Sequence, residues 1–96
     1  MGIDKKKMES AFQLYMKNPS WRDYYNNAPS EDCKNYIRFG WYRSQYGEPK
    51  DPEEFKKLRD LYWNKLSIKD WEYIRDHAGN SPFRKVCSDK IRELSK

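Results

Sequence analysis

Repeatedly along the chain, a capping side chain or a proline stands just ahead of a short block in which apolar residues recur every three or four positions. This combination limits the fold more than any other feature. A cap satisfies backbone N–H groups that a helix start leaves without partners, and a 3.6-residue period puts the apolar positions on one helical face. No run of four or more residues shows the strict alternation of a half-buried strand. The sequence therefore predicts an all-α chain of five or six short helices, packed as one compact domain over residues 1–96.

The blocks can be read in turn. A first helix over about 4–17 gathers Met8, Ala11, Phe12, Tyr15 and Met16 on one face. Asn18-Pro19 ends it and opens a second helix over about 19–26, with Asn18 as cap and Pro19 at the first helical position. Ser30 caps a third helix over about 31–46, which stops at Gly47. Cys33, Tyr36, Ile37, Gly40, Trp41 and Ser44 form one stripe on it, and Phe39, Tyr42 and Tyr46 form another on nearly the opposite side. A helix apolar on two sides belongs at the centre of a bundle. Gly40 costs this helix about 1 kcal/mol relative to Ala, so close approach of a neighbouring helix is expected there.

After a loop at 47–50, Asp51-Pro52-Glu53-Glu54 starts a fourth helix with Phe55, Leu58, Leu61, Tyr62 and Leu66 on its apolar side. Ser67 and Asp70 have the spacing of a capping box for a fifth helix, expected to end at Gly79 and to bury Ile68, Trp71, Ile74 and Ala78. Ser81-Pro82 starts the sixth, whose stripe is Phe83, Val86, Cys87, Ile91 and Leu94.

Composition tests whether such a chain folds at all. Mean hydropathy is −1.28 and 36% of residues are charged. Ile, Leu, Val and Phe together fall below the ~20% that separates folded from disordered chains. Four Trp and eight Tyr make up the deficit, since each ring can bury about 150–250 Å². The expected core is aromatic rather than aliphatic. No stretch has the apolar length of a membrane span, and the segment after Lys5-Lys6-Lys7 is amphipathic, unlike a signal peptide. With only Cys33 and Cys87, far apart, the expectation is free thiols in a reducing, cytoplasmic setting.

The residues that carry chemistry are sparse. His77 is the single histidine, which removes most routes to histidine-based catalysis and metal ligation. Its place near the end of the fifth helix suits a surface or capping cation. Cys33 and Cys87 each lie within an apolar stripe and read as core residues. Glu31, Asp32, Asp51, Glu53, Glu54 and Asp70 sit at helix starts, where acids are structural. The four glycines are scattered, so no phosphate loop exists. No catalytic site, cofactor or metal is expected.

Two binding readings remain. The first is protein recognition or self-association through exposed rings, since Trp, Tyr and Arg dominate binding hot spots. Trp21, Tyr24 and Tyr25, with Tyr42 and Tyr46, are the candidates, on the premise that a chain this short cannot bury all its rings. The second is nucleic-acid or other polyanion binding. The chain carries a net charge of +5. Arg84, Lys85, Arg92 and Lys96 lie on the outer side of the sixth helix, and Arg38 and Arg43 on the third. A DNA-reading helix-turn-helix built from the last two helices fits poorly. Asn80 stands where an apolar residue usually packs, and Arg75 where a small one is usual.

Overall fold

The computed structural model describes residues 4–47 and 51–96. The expected loop at 47–50 lies, beyond Gly47, outside the described residues. Among the described residues there are six helices: α1 (Lys5–Met16), α2 (Pro19–Asn26), α3 (Glu31–Tyr46), α4 (Pro52–Trp63), α5 (Ile68–His77) and α6 (Ser81–Leu94). No strand occurs among the described residues, and the all-α bundle measures 38 × 34 × 24 Å.

Each of these helices begins where a side chain can take its first N–H groups. Asp4 accepts from Lys6 and Lys7, Asn18 from Ser20 and Trp21, Ser30 from Cys33 and Asp51 from Glu53. Ser67 and Asp70 form the full reciprocal box. The cap of α6 is Asn80, which accepts from Phe83 N–H, and the helix starts at Ser81, as the Ser81-Pro82 pair predicts. Gly47 closes α3 with a φ of 84°, a left-handed conformation that suits glycine. Gly79 has no such role. α5 ends at His77, Ala78 is its extended cap, and the positive-φ position among the described residues is Gly47.

α3 is central. Its Cys33–Ile37–Trp41 stripe is buried with Leu66, Trp71 and Ile74 and with Cys87 of α6. Its opposite stripe buries Phe39, whose ring stacks on Tyr62 of α4 at 4.6 Å. α1 makes the more extensive contact with α3, while α5 and α6 pair with each other.

The fully buried core mixes Phe39, Trp41 and Trp71 with Ile37, Leu66, Ile74 and the two cysteines, so it is less aromatic than composition suggests, and half-buried rings pack around it. Trp41 is ringed by Phe12, Tyr15, Trp21 and Tyr25, with centroids 5.2–6.5 Å away. Tyr15 lies parallel to it at 5.2 Å, and Trp21 meets it edge-on. A second focus sets Trp63 edge-on to the buried Trp71 at 5.5 Å, with Arg59 over the Trp63 face.

One buried carboxylate ties two helix starts together. Asp70 accepts from Ser30 Oγ at 2.8 Å and from Ser67 N–H at 2.9 Å. Ser30 also caps α3, so the same hydroxyl takes Cys33 N–H at 3.1 Å and donates to Asp70. The thiols of Cys33 and Cys87 are free and buried. Burial, and then the nearby Asp70 carboxylate, push the Cys33 thiol up to about 12, and burial raises that of Cys87.

The apolar side of α4 differs from expectation. Leu61 is 60% exposed, and Leu66 is buried but lies beyond the helix, which ends at Trp63. The apolar period continues about one turn past the end of the helix, and Trp63, in its last turn, packs against the core.

Candidate binding groove

The expected close approach to Gly40 is missing. No neighbouring group comes within 4 Å of the point where a Cβ would stand. Gly40 instead lines a groove of about 810 Å³ between α2, α3 and the α5–α6 corner. α2 contributes Trp21 and Tyr24, α3 adds Tyr36, Arg43 and Ser44, and the corner brings His77, Asn80 and Phe83.

Local packing holds these groups in place. The Tyr24 ring lies parallel to Tyr73 of α5 at 5.3 Å, and Tyr73 Oη donates to the Tyr24 carbonyl at 2.6 Å. His77 packs against both rings, at 4.3 Å from Tyr73 and 5.0 Å from Tyr24. Its Nδ1 lies 2.9 Å from the Tyr73 carbonyl. A carbonyl can only accept, so this contact puts the hydrogen on Nδ1 and leaves Nε2 as the second polar atom. Tyr15 Oη donates to Ser44 Oγ at 2.8 Å. The Arg43 guanidinium sits over the Phe55 ring, 4.8 Å from its centroid. Burial raises the pKa of Tyr24 and Tyr36 above the usual tyrosine value, although Arg43 works against this at Tyr36.

The candidate aromatic residues do not form one patch. Trp21, 44% exposed, and the half-buried Tyr24 line the groove. Tyr25 turns inward onto Phe12 at 5.0 Å and onto Trp41. Tyr42 and Tyr46 contact each other at 5.6 Å and do not line the groove, and Lys7 lies over the Tyr46 ring. Sequence reasoning missed Gly40, Tyr36, His77, Asn80 and Phe83 as neighbours in one site. The readable signal was Gly40, a glycine whose cost within a helix no packing contact repays.

The basic candidates also divide. Arg38 pairs with Glu9 of α1 at 3.6 Å and covers the Phe12 ring at 4.3 Å. Arg84, Lys85 and Arg92 are exposed on α6, and Lys96, also exposed, lies past the end of that helix instead of on its face. Within that helix Asp89 pairs with both Lys85, at 3.3 Å, and Arg92, at 3.6 Å. Among the described residues no group of three His, Cys, Asp or Glu side chains could hold a metal, and no helix is long and apolar enough to cross a membrane.

The groove thus offers ring faces, an imidazole, a guanidinium and hydroxyls, with no carboxylate among the described residues that line it. Such a surface can bury an apolar side chain and fix it with a few polar contacts. No family model matches the chain, and no curated protein or solved structure matches it.

Proposed function

We propose that this protein is a non-enzymatic binding module that docks a short segment of a partner protein in the groove over Gly40. The observation that carries this reading is the glycine itself. A glycine within α3 costs about 1 kcal/mol of helix stability, and here nothing packs on it. Space over a helix backbone, walled by Trp21, Tyr24, Tyr36 and Phe83, suits an inserted side chain. Trp, Tyr and Arg are also the residue types that supply most binding energy at protein interfaces.

Gly40→Leu tests the reading, because it fills the groove while improving helix propensity. Peptides selected from a random display library on the wild-type chain are expected to bind it and to lose Gly40→Leu. Selected peptides that bind both chains equally, or no enrichment on the wild type, would sink the proposal. A thermal melt no lower than that of the wild type confirms that the variant is folded.

The exposed cations of α6 support a second reading, polyanion binding. It is the weaker, because Asp89 offsets Lys85 and Arg92, and Arg38 is engaged with Glu9. Labelled oligonucleotides titrated at several salt concentrations decide it. Tight binding that weakens steeply with salt and disappears in Arg84→Ala, Lys85→Ala and Arg92→Ala would favour it over the groove.

A further inference from the structure

We propose that two copies of this chain associate antiparallel through the outer face of α4, with Leu61 of each packed on Leu58 of the other and Glu54 facing Lys65 at both ends. This face is separate from the groove over Gly40, and the proposal stands independently of it.

Leu61 is 60% exposed, more than any other large apolar side chain among the described residues. It stands between two hollows. One, of about 480 Å³, is bounded by Met8, Leu58, Tyr62 and Lys65, and the other, of about 600 Å³, by Lys57, Asp60, Asn64 and Lys65. A single exposed leucine is ordinary on a protein surface. Here the apolar surface continues, because the half-buried Leu58 borders the same hollow as Leu61.

Charge says what covers this face. Glu54, Leu58 and Leu61 follow one another at four and three residues within α4, which sets them on one side of the helix. Lys65, just past the helix end, borders both hollows with Leu61. The face is therefore apolar in the middle, negative at one end and positive at the other. Among the described residues neither Glu54 nor Lys65 enters an ion pair, whereas Asp60 holds Arg59 at 3.2 Å and Arg38 holds Glu9 at 3.6 Å.

Such a face is complementary to itself when turned end for end. A two-fold axis midway between Leu58 and Leu61 sets each leucine against the other's counterpart and Glu54 against Lys65 twice, and the contact closes at a dimer. Parallel pairing would oppose Glu54 to Glu54 and Lys65 to Lys65. An axis through Leu61 itself would oppose Lys57 to Lys65. Both arrangements bring like charges together, so charge selects the first. Two apolar side chains per copy make a small interface, and the association is weak and concentration-dependent.

Sedimentation velocity of the full chain across a dilution series at low ionic strength tests this. A monomer–dimer equilibrium without larger species is expected. Leu61→Ser, with a thermal melt like that of the wild type, is expected to weaken association about a hundredfold. Glu54→Lys and Lys65→Glu are each expected to weaken it about threefold to tenfold, and the two together to restore it. A merely structural effect of losing Glu54 at the start of α4 would persist in the double variant. A chain that stays monomeric throughout, or a dimer indifferent to Leu61→Ser, overturns the proposal. Failure of the double reversal to restore association overturns the antiparallel pairing. A dimer lost in Gly40→Leu and kept in Leu61→Ser places the contact in the groove instead, and also overturns the proposal.

Discussion

Trp41 and Gly40 are sequence neighbours on α3, yet they sit in opposite surroundings. Rings from α1 and α2 close over Trp41, which is 5% exposed. Beside it, Gly40 meets nothing within 4 Å of a Cβ position. One helix thus supplies both the centre of the core and the base of the groove, about 100° apart around its axis. The pair separates what holds this fold from what the fold exposes. Packing is dense where rings converge, and space remains where α2 and the α5–α6 corner stand apart over a residue without a side chain.

The strongest way to break the comparison is at Trp41. Trp41→Ala removes the shared partner of Phe12, Tyr15, Trp21 and Tyr25. The expected loss is about 3–5 kcal/mol. Against a total of roughly 5–15 kcal/mol, this leaves the chain barely folded. Urea denaturation followed by circular dichroism reads it. A loss below about 1 kcal/mol would mean that the rings do not depend on Trp41.

Asp70→Ala comes next. It leaves the Ser30 hydroxyl without its acceptor and Ser67 N–H without its cap, both in a part-buried setting. The expected cost is about 1–3 kcal/mol in the same measurement, because buried polar groups lose partners without regaining water. Asp70→Asn keeps one acceptor and is expected to fall between the two.

Alkali tests the buried thiols and phenols together. The folded chain holds the Cys33 proton up to about 12, whereas the unfolded chain releases it near 9.0. The stability this gives is complete below pH 9 and is lost as pH rises toward 12. Tyr24 and Tyr36, also raised by burial, act in the same direction above the ordinary tyrosine value of 10.0. Denaturation midpoints are expected to fall steadily over that window, and Cys33→Ala is expected to flatten the fall. Thiol-specific labelling at neutral pH should stay slow until the chain unfolds, since both thiols are buried.

What the sequence made legible was local. Caps at Asn18, Ser30, Asp51 and Ser67, and the box closed by Asp70, are short-range chemistry, and each stands where it was read. The two stripes of α3 survive in part: Cys33, Ile37 and Trp41 are buried on one side and Phe39 on the other, whereas Tyr46 is exposed and Gly40 is left open. The misreadings came where a local pattern depends on tertiary surroundings. Leu61 and Leu66 extend one apparent period, but the chain leaves the helix at Trp63, so one is exposed and the other buried outside it. Gly79 resembled a helix stop although Ala78 caps α5. The groove was illegible because it joins α2 and α3 to a corner near residue 80. No spacing rule spans that distance, and only the geometry brings Trp21, His77 and Phe83 together.

Gly40→Ala sharpens the comparison with a smaller effect of opposite sign. The added methyl meets no neighbour, so the gain in helix propensity is expected to appear nearly in full. A stabilisation of about 1 kcal/mol, or a rise in Tm of about 4–8 °C, follows. A destabilised variant would mean that a group closes over this position in solution and that the space above α3 is not open.

The smallest effect belongs to the outer side of α6, and its sign separates a solvated surface from a working one. Asp89 pairs with Lys85 and Arg92, whose side chains are 79% and 73% exposed. Exposed pairs of this kind contribute about 0.3–0.5 kcal/mol each and are screened by salt. Asp89→Asn is therefore expected to cost under about 1 kcal/mol at low ionic strength and almost nothing at high. The same substitution releases two cations, so any affinity of α6 for oligonucleotides should rise with it, and the salt dependence of binding should steepen. If Asp89→Asn leaves oligonucleotide binding undetectable, the positive charge of α6 serves solvation, and recognition falls to the groove over Gly40.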